Sequence, residues 1–225
     1  MSDLERAIPG KVFERQDWGA PSSPGGSYRN PSDVIGLTVH HTTGATLGTD
    51  NTARWVKNIY DFHTGPQRGW ADIGYAYLID RFGNVFVGRG RHRSLAHATG
   101  FNTSYLGVAF LGTGDETFTD EAAIAFIELR KWLRNNGLTN MNRLNGHRDI
   151  GSTTCPGNYL YRWVTNGMDD PRKDDDNMAH LSDDAQQWLQ EFYEEGQKRD
   201  GVRATSLWHV LDWLRSTRDF FARYF

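Results

Sequence analysis

The chain has 225 residues, of which 38% are hydrophobic and 24% charged, enough for one well-buried domain of about 150 residues plus a smaller element. Its formal net charge is -3, which is not the basic excess that nonspecific nucleic-acid binding needs, so we expect no nucleic-acid partner. Cys155 is the only cysteine, which excludes an internal disulfide and a disulfide-stapled scaffold.

The N-terminus predicts a protein that is made in a cytoplasm. Its first ten residues, MSDLERAIPG, lack the apolar core of a signal peptide. No apolar run approaches the roughly 20 residues of a transmembrane helix, so we expect no membrane insertion.

Hydrophobic periodicity predicts an α/β domain that ends near Met168. The first fifteen residues and the turn-rich stretch PSSPGGSYRNPSD are expected to be irregular. In chain order, the pattern then predicts a buried strand at 34–40, a helix at 49–63 with Thr49 and Asp50 as capping candidates, a β-hairpin at 74–88, a buried strand at 106–112, and a helix at 119–136 with Thr119 as N-cap.

The composition divides the chain into a main domain at 1–168, a charged linker at 169–181 and a C-terminal helical hairpin at 182–225. The linker contains the run DDPRKDDD, and charge with proline but no apolar residue is typical of a solvated segment. Two apolar stripes at helical spacing predict the hairpin. Because about 45 residues without a disulfide rarely bury enough surface to fold alone, we expect these stripes to contact another surface.

Several histidines and the single cysteine have the chemistry of a metal site. His40 and His41 end the first predicted strand, and Cys155 follows His147 by eight positions in GHRDIGSTTCPG. Three protein ligands that leave one position open are the layout of a catalytic zinc site. The alternative is that Cys155 is a small buried hydrophobic residue, and spacing alone leaves this alternative open.

Strand geometry selects one histidine of the adjacent pair. Successive side chains of a strand point to opposite faces. His41 shares a face with the apolar positions 35, 37 and 39, whereas His40 shares the less apolar face with positions 34, 36 and 38. We therefore predict His40 as the metal ligand and His41 as a core residue or a support for the ligands.

Four sequence blocks resemble one known family and occur in its order. They are VHHTTG at 39–44, GWADIGYAYLIDRFGNVFVGRG at 69–90, AHATGFNTSYLGVAFLG at 96–112 and GHRDIGSTTCPG at 146–157, and RQDWGA at 15–20 resembles the family's N-terminal block. The family is that of the zinc-dependent type 2 N-acetylmuramoyl-L-alanine amidases, which includes peptidoglycan recognition proteins and phage amidase endolysins. The resemblance covers 12–164 and implies a mixed central β-sheet flanked by helices.

The resemblance implies roles for individual residues. His40, His147 and Cys155 match the zinc ligands, and Tyr75 matches the catalytic tyrosine. His97 matches a position that lines the substrate groove. The alternatives are that Tyr75 is a core aromatic residue of a strand and that His97 is a loop histidine without a role.

One position departs from part of the family. Some phage amidases carry a lysine two residues before the cysteine, whereas this chain has Thr153, as catalytic peptidoglycan recognition proteins do. A threonine offers a neutral hydroxyl in place of a cation, so Tyr75 and Thr153 together are expected to stabilise the charge that develops on oxygen in the transition state.

The resemblance implies a bacteriolytic hydrolase with Zn²⁺ as cofactor and peptidoglycan as partner. It would cleave the amide between N-acetylmuramic acid and L-alanine, as a phage endolysin made in the host cytoplasm and acting on the cell wall after holin-mediated release. Two alternatives stay open, namely a cytoplasmic amidase that recycles muropeptides and a non-catalytic peptidoglycan-binding module. Because recognition-only members usually lack the metal cysteine, Cys155 favours an enzyme.

Two further expectations concern partners. Gly69 and Trp70 resemble the Gly-Trp pair of recognition proteins that prefer meso-diaminopimelate peptidoglycan, and a turn glycine followed by a core tryptophan is the alternative. His41 is placed with Gly69, Trp70 and His97 among the substrate-side candidates. The C-terminal hairpin is expected to serve wall attachment or self-association as a homodimer.

Overall fold

The chain divides into two compact units, Met1–Asp169 and Asp170–Phe225. This computed structural model describes residues 2–43, 52–115 and 118–172, so the description concerns the first unit almost entirely. The predicted hairpin at 182–225, the linker beyond residue 172 and the capping candidates Thr49 and Asp50 lie outside the described residues.

Helices and strands alternate along the first unit. Within the described ranges, none of the helices is both long and apolar enough to cross a membrane. The helices are α1 (Asp3–Ala7), α2 (Thr52–Thr64), α3 (Asp120–Asn135) and α4 (Asn158–Thr165), and the strands are β1 (Val12–Phe13), β2 (Gly36–His41), β3 (Tyr77–Ile79), β4 (Val85–Val87), β5 (Tyr105–Phe110) and β6 (Arg143–Gly146).

In the described part of the chain, six strands form one mixed sheet in the order β1-β4-β3-β5-β2-β6. The β3–β4 hairpin is antiparallel, and the other neighbouring pairs are parallel. Helices flank this sheet, so the predicted α/β class with a mixed central sheet is confirmed. The strand β2 lies between β5 and β6, which places its carboxyl end in the interior of the sheet.

One face of the sheet packs against α2. The pairing register aligns His40 with Ala109 of β5, which in turn pairs with Leu78 of β3. Leu78 and Ala109 belong to a buried hydrophobic cluster with Val56 of α2. His40 therefore lies on the face of the sheet that α2 covers.

The other face of the sheet packs toward α3. His41 pairs with Phe110, whose ring centroid lies 5.3 Å from that of Phe118. The Phe118 ring in turn lies 6.1 Å from the ring of Phe126 in α3. Because both faces are covered, β2 is buried at every position except its last residue.

Several predicted elements are confirmed with small shifts at their ends. Thr119 is the N-cap of α3, where its hydroxyl oxygen accepts the N–H of Ala122 at 3.2 Å. Acidic side chains in the first turn interact favourably with the helix dipole, which adds to this start signal. The hairpin is present as β3 and β4, and the predicted helix at 49–63 corresponds to α2.

The prediction that the first fifteen residues are irregular is wrong. They contain α1, which starts with a reciprocal capping box between Ser2 and Glu5, and β1, which pairs with β4. The elements β6 and α4 were also missed. Strands as short as β1 leave too few residues for a period of two to be recognised.

Candidate metal centre

The three predicted ligands lie together at the carboxyl end of β2. The ligand atoms of His40, His147 and Cys155 all lie within 4.8 Å of one another. Nδ1 of His40 is 3.9 Å from Sγ of Cys155, and the rings of His40 and His147 are 4.4 Å apart between centroids. This group of side chains, called the ligand cluster below, could hold a metal ion.

Strand register explains why His147 reaches His40. The strand β6 runs parallel to β2, and Val39 pairs with Gly146. The next residue along the chain is His40 within β2 and His147 directly after β6, so the two histidines lie side by side. Sequence spacing alone could not reveal this neighbourhood because it depends on which strands pair.

A closed loop returns the cysteine to the same place. After β6 the chain makes a short 3-10 turn at His147–Asp149. The backbone N–H of Arg148 then donates to the carbonyl oxygen of Cys155 at 2.9 Å. This bond brings the two ends of the loop together, so the interval of eight residues becomes a contact across one small loop.

Burial keeps the two imidazoles of the ligand cluster uncharged. The pKa of His40 lies well below its ordinary value, first because the ring is buried and then because His97 and His147 lie nearby. Burial also lowers the pKa of His147. A neutral imidazole keeps the lone pair that a metal ion requires.

The cysteine must instead be deprotonated, since the thiolate is the form that binds a metal ion. Burial raises the pKa of the Cys155 thiol to about 11, although the backbone N–H of His41 donates to Sγ at 3.3 Å and favours the thiolate. The thiol therefore stays protonated in the protein alone. A metal cation would supply the positive charge that stabilises the thiolate, so this donor set fits a metal ion.

Tyr75 lies beside the ligand cluster, just before β3. Its ring centroid is 5.3 Å from that of His40. Burial raises the pKa of its phenol, and the neighbouring Cys155 raises it further. The phenol therefore stays protonated and can act as a hydrogen-bond donor, and its catalytic role stays a prediction.

Thr153 has a local structural contact. Its side chain is exposed, and its hydroxyl oxygen accepts the backbone N–H of Cys155 at 3.2 Å. This bond shapes the turn that precedes the cysteine. That Thr153 also stabilises charge on a substrate stays a prediction.

The ring and the backbone of His41 contact different partners. Its ring Nδ1 accepts the backbone N–H of Gly114 at 3.1 Å, whereas its backbone N–H and carbonyl oxygen contact Sγ of Cys155 at 3.3 and 3.8 Å. His40, and not His41, therefore contributes its ring to the ligand cluster. His41 supports the cysteine through its backbone.

His97 contacts the ligand cluster directly. Its ring is buried, and its Nδ1 lies 2.9 Å from Nε2 of His40. Its other nitrogen, Nε2, lies 3.3 Å from the carbonyl oxygen of Tyr105. Burial lowers the pKa of His97 to about 4, so the ring is neutral. Its assignment to substrate binding stays a prediction.

The substrate-side pair lies at the end of α2. Gly69 is exposed with φ +61°, and a Cβ built there would meet no atom within 4 Å other than those of its chain neighbours Arg68 and Trp70. Trp70 is half-buried, and the guanidinium carbon of Arg68 lies 5.5 Å from its ring centroid. Gly69 thus leaves open space beside an indole and a cation.

Sequence analysis missed one residue of this region. The sequence pattern assigns no role to His63, yet it is buried and stacks on Trp70 with 4.6 Å between ring centroids. Its Nδ1 accepts the backbone N–H of Gly74 at 3.2 Å, and its ring lies 5.8 Å from that of Tyr75. Its position seven residues after Val56, on the same helix face, was the available signal.

Comparisons with known proteins show which family this sequence is similar to. The sequence matches the family model described as N-acetylmuramoyl-L-alanine amidase over residues 30–158. Peptidoglycan-recognition protein SC2 of Drosophila simulans is 33% identical over 157 residues, which cover 68% of this chain and 84% of that protein.

Solved structures of related proteins have the same fold. Bumblebee PGRP-SA superimposes with a TM-score of 0.64 and 27% identity, over 70% of this chain and 95% of that chain. A point mutant of Drosophila PGRP-LB in complex with tracheal cytotoxin superimposes with a TM-score of 0.61 and 26% identity, over 72% of this chain and 96% of that chain.

Proposed function

The chain belongs to the N-acetylmuramoyl-L-alanine amidase family, and on this premise we propose that it is a zinc-dependent peptidoglycan hydrolase. The reaction is hydrolysis of the amide bond between the lactyl group of N-acetylmuramic acid and L-alanine of the stem peptide. The observation that carries the proposal is the convergence of His40, His147 and Cys155 beside Tyr75.

The donor set supports zinc in particular. Two imidazoles and one thiolate are common zinc ligands, and bond lengths of about 2.0 Å to nitrogen and 2.3 Å to sulfur put two tetrahedral ligands about 3.5 Å apart. The 3.9 Å between Nδ1 of His40 and Sγ of Cys155 is close to that value. Three protein ligands would leave the fourth position to water or substrate.

The chain's own residues have separate tasks in this reaction. When bound, zinc supplies Lewis acidity that polarises the amide carbonyl and acidifies water. The Tyr75 phenol, which burial keeps protonated, donates a hydrogen bond to the oxygen on which negative charge develops. Thr153 is the second donor, since a hydroxyl that accepts one N–H bond keeps its own proton for donation.

Several observations favour an enzyme that acts on the cell wall. The cysteine is present and lies with both histidines, which favours hydrolysis over recognition alone. The relative in complex with tracheal cytotoxin supports binding of such a ligand by this chain as well. From the resemblance to phage amidases we propose the role of an endolysin, made in the cytoplasm of the host and released to the wall through a holin.

The open space at Gly69 supports a preference for meso-diaminopimelate in the stem peptide. Diaminopimelate carries one carboxylate more than lysine does. Gly69 carries no side chain that would crowd that group, and the Arg68 guanidinium over Trp70 offers it a positive charge.

Mass spectrometry of purified diaminopimelate-type sacculi, digested with the zinc-loaded protein, tests the proposal. We expect stem peptides with a new N-terminal alanine and glycan strands without peptide. Binding to sacculi without new alanine termini would favour the recognition module. Cleavage of soluble muropeptides without loss of turbidity from whole sacculi would favour the recycling amidase.

A further inference from the structure

Two hydrogen bonds connect the ligand cluster to the backbone of a neighbouring strand. Nε2 of His40 lies 2.9 Å from Nδ1 of His97, and Nε2 of His97 lies 3.3 Å from the carbonyl oxygen of Tyr105 in β5. We propose that His97 is a positioning residue for the metal centre, which fixes the tautomer and the orientation of the His40 ring. This inference rests on the proposed metal-dependent function.

The tautomers of the His97 and His40 rings follow from the carbonyl group of Tyr105, with which the two contacts end. A backbone carbonyl can only accept a hydrogen bond, so Nε2 of His97 must carry its proton. Nδ1 of the neutral His97 ring is then an acceptor, and Nε2–H of His40 donates to it. Nδ1 of His40 is left with its lone pair, and this is the atom that faces Sγ of Cys155 at 3.9 Å.

The carbonyl group at the fixed end is held firmly. Tyr105 is the first residue of β5, which pairs with β2 over the whole length of both strands. Its carbonyl oxygen also accepts a hydrogen bond from the buried Arg29 guanidinium at 3.2 Å. Since a carbonyl oxygen has two lone pairs, it can hold both donors at once.

The His97 ring is placed by its surroundings and not by chance packing. The side-chain oxygen of Asn102 accepts the backbone N–H groups of His97 and Ala98 at 2.8 and 3.0 Å, which fixes the loop. On the strand side, a Cβ built at Gly107 would lie 2.5 Å from the His97 ring. Gly107 therefore makes the space in which the ring lies between β5 and His40.

An imidazole that ligates a metal usually donates its second N–H to a carboxylate, a carbonyl or water, which raises its basicity and fixes its direction. Here the acceptor is a second histidine. The ring of His97 makes a T-shaped contact with that of His40, with 5.1 Å between centroids and 89° between planes. The role therefore differs from contact with substrate, since His97 would act through His40.

Zinc affinity of the metal-free protein, measured by competition with a chromogenic chelator, tests this role without any substrate. In His97→Leu the acceptor is lost, and we expect the affinity to fall by about 10- to 100-fold, as for other partners of metal ligands. In His97→Asn the side-chain oxygen can take the place of Nδ1 as acceptor, so we expect most of the affinity to return. His92→Leu, at an exposed histidine outside the ligand cluster, is the matched control and should bind zinc as the wild type does.

A second experiment displaces the His97 ring by a substitution on the neighbouring strand β5. Gly107→Ala should displace His97 and weaken zinc binding, but it should have little further effect when combined with His97→Gly, because every side-chain atom of residue 97 that the new Cβ would strike is then gone. The absorption of the cobalt-substituted proteins gives a spectroscopic readout, since a change in ligand orientation alters the bands of the metal. A purely structural role of His97 would leave the spectrum unchanged.

The outcomes separate this inference from the proposed function. If the wild type binds no zinc, the proposed function fails. If the wild type binds zinc and folded His97→Leu does so within twofold, or if His97→Asn is as weak as His97→Leu, the positioning role is wrong. If His97→Leu does not fold, the comparison of His97→Ala with His97→Asn decides the question in the same way.

Discussion

The ligand cluster and the surface around it are built in different ways. His40, His147 and Cys155 are fixed by strand pairing and by a loop closed through a backbone hydrogen bond. The rim, defined here as Arg68, Gly69, Trp70 and Thr153, consists of exposed or half-buried residues in turns. The cluster thus depends on the fold as a whole, whereas the rim depends on local contacts.

This difference predicts where substitutions act. A change in the ligand cluster should remove the metal ion and all activity with it, because among the described residues these three side chains form the one group of histidine, cysteine and acidic residues that could hold a metal ion. A change in the rim should alter the rate or the preference among substrates while the metal ion stays bound. Tyr75 lies between the two regions, next to His40 and also next to His63 of α2.

The largest effect is expected from Cys155→Ser. A serine hydroxyl is a poor zinc ligand, so the variant should lose bound zinc and hydrolysis together. Metal content after gel filtration and release of N-terminal alanine from sacculi give the two readouts. His92→Ala, outside the cluster, should keep both. Full lytic activity in zinc-free Cys155→Ser would falsify the metal mechanism.

Tyr75→Phe should reduce turnover by about 10²- to 10³-fold, the usual loss when one donor to a developing oxyanion is removed. Zinc content and KM should change little, because the phenyl ring keeps the contact with His40. Tyr77→Phe is the matched control, since Tyr77 is also a buried phenol and lies on β3. Steady-state kinetics with a soluble muropeptide separate the effect on kcat from the effect on KM. Near-normal turnover would show that Tyr75 only lines the site.

Part of the ligand cluster could be predicted from the sequence, because the signals for His40 and for the loop from His147 to Cys155 are local. The period of two along β2 selected His40 over His41, and the structure places the ring of His40 with Cys155. The interval between His147 and Cys155 fits a small loop, and that loop is present. The resemblance to known amidases matches the same three residues and adds the catalytic role expected of Tyr75.

The contact between His97 and His40 could not be predicted in the same way. It joins residues that lie 57 positions apart and depends on space left by Gly107, on a strand that neither residue belongs to. The missed strand β6 is a similar case, since its four residues gain their strand character from pairing with β2. Both features arise from tertiary packing, which overrides local preference.

A smaller effect is expected from Thr153→Val, which removes the hydroxyl and keeps the shape of the side chain. Because Thr153 is exposed to solvent, unlike the buried phenol of Tyr75, we expect the loss of an ordinary hydrogen bond of about 1 kcal/mol, which is a decrease of about fivefold in turnover. Zinc should stay bound, although the backbone N–H of Cys155 loses its acceptor, the hydroxyl oxygen of Thr153. Thr154→Val is the neighbouring control. An unchanged rate would restrict Thr153 to shaping the turn.

The smallest effect is expected at the outer edge of the rim, in Arg68→Gln. The Arg68 guanidinium lies over Trp70 beside the open position of Gly69, where the extra carboxylate of diaminopimelate would be bound. An exposed ion pair contributes about 0.2–1 kcal/mol, so the preference for diaminopimelate-type over lysine-type peptidoglycan should fall by about 1.4- to fivefold. Initial rates on both substrates measure this ratio, while zinc content and the rate on lysine-type material should stay constant.

Arg81→Gln is the matched control, because Arg81 also stacks on an aromatic ring, that of Phe82 in the hairpin turn, away from the ligand cluster. Equal ratios in the wild type and Arg68→Gln would show that this arginine does not recognise the carboxylate, and the open space at Gly69 would then have to account for any preference by shape alone.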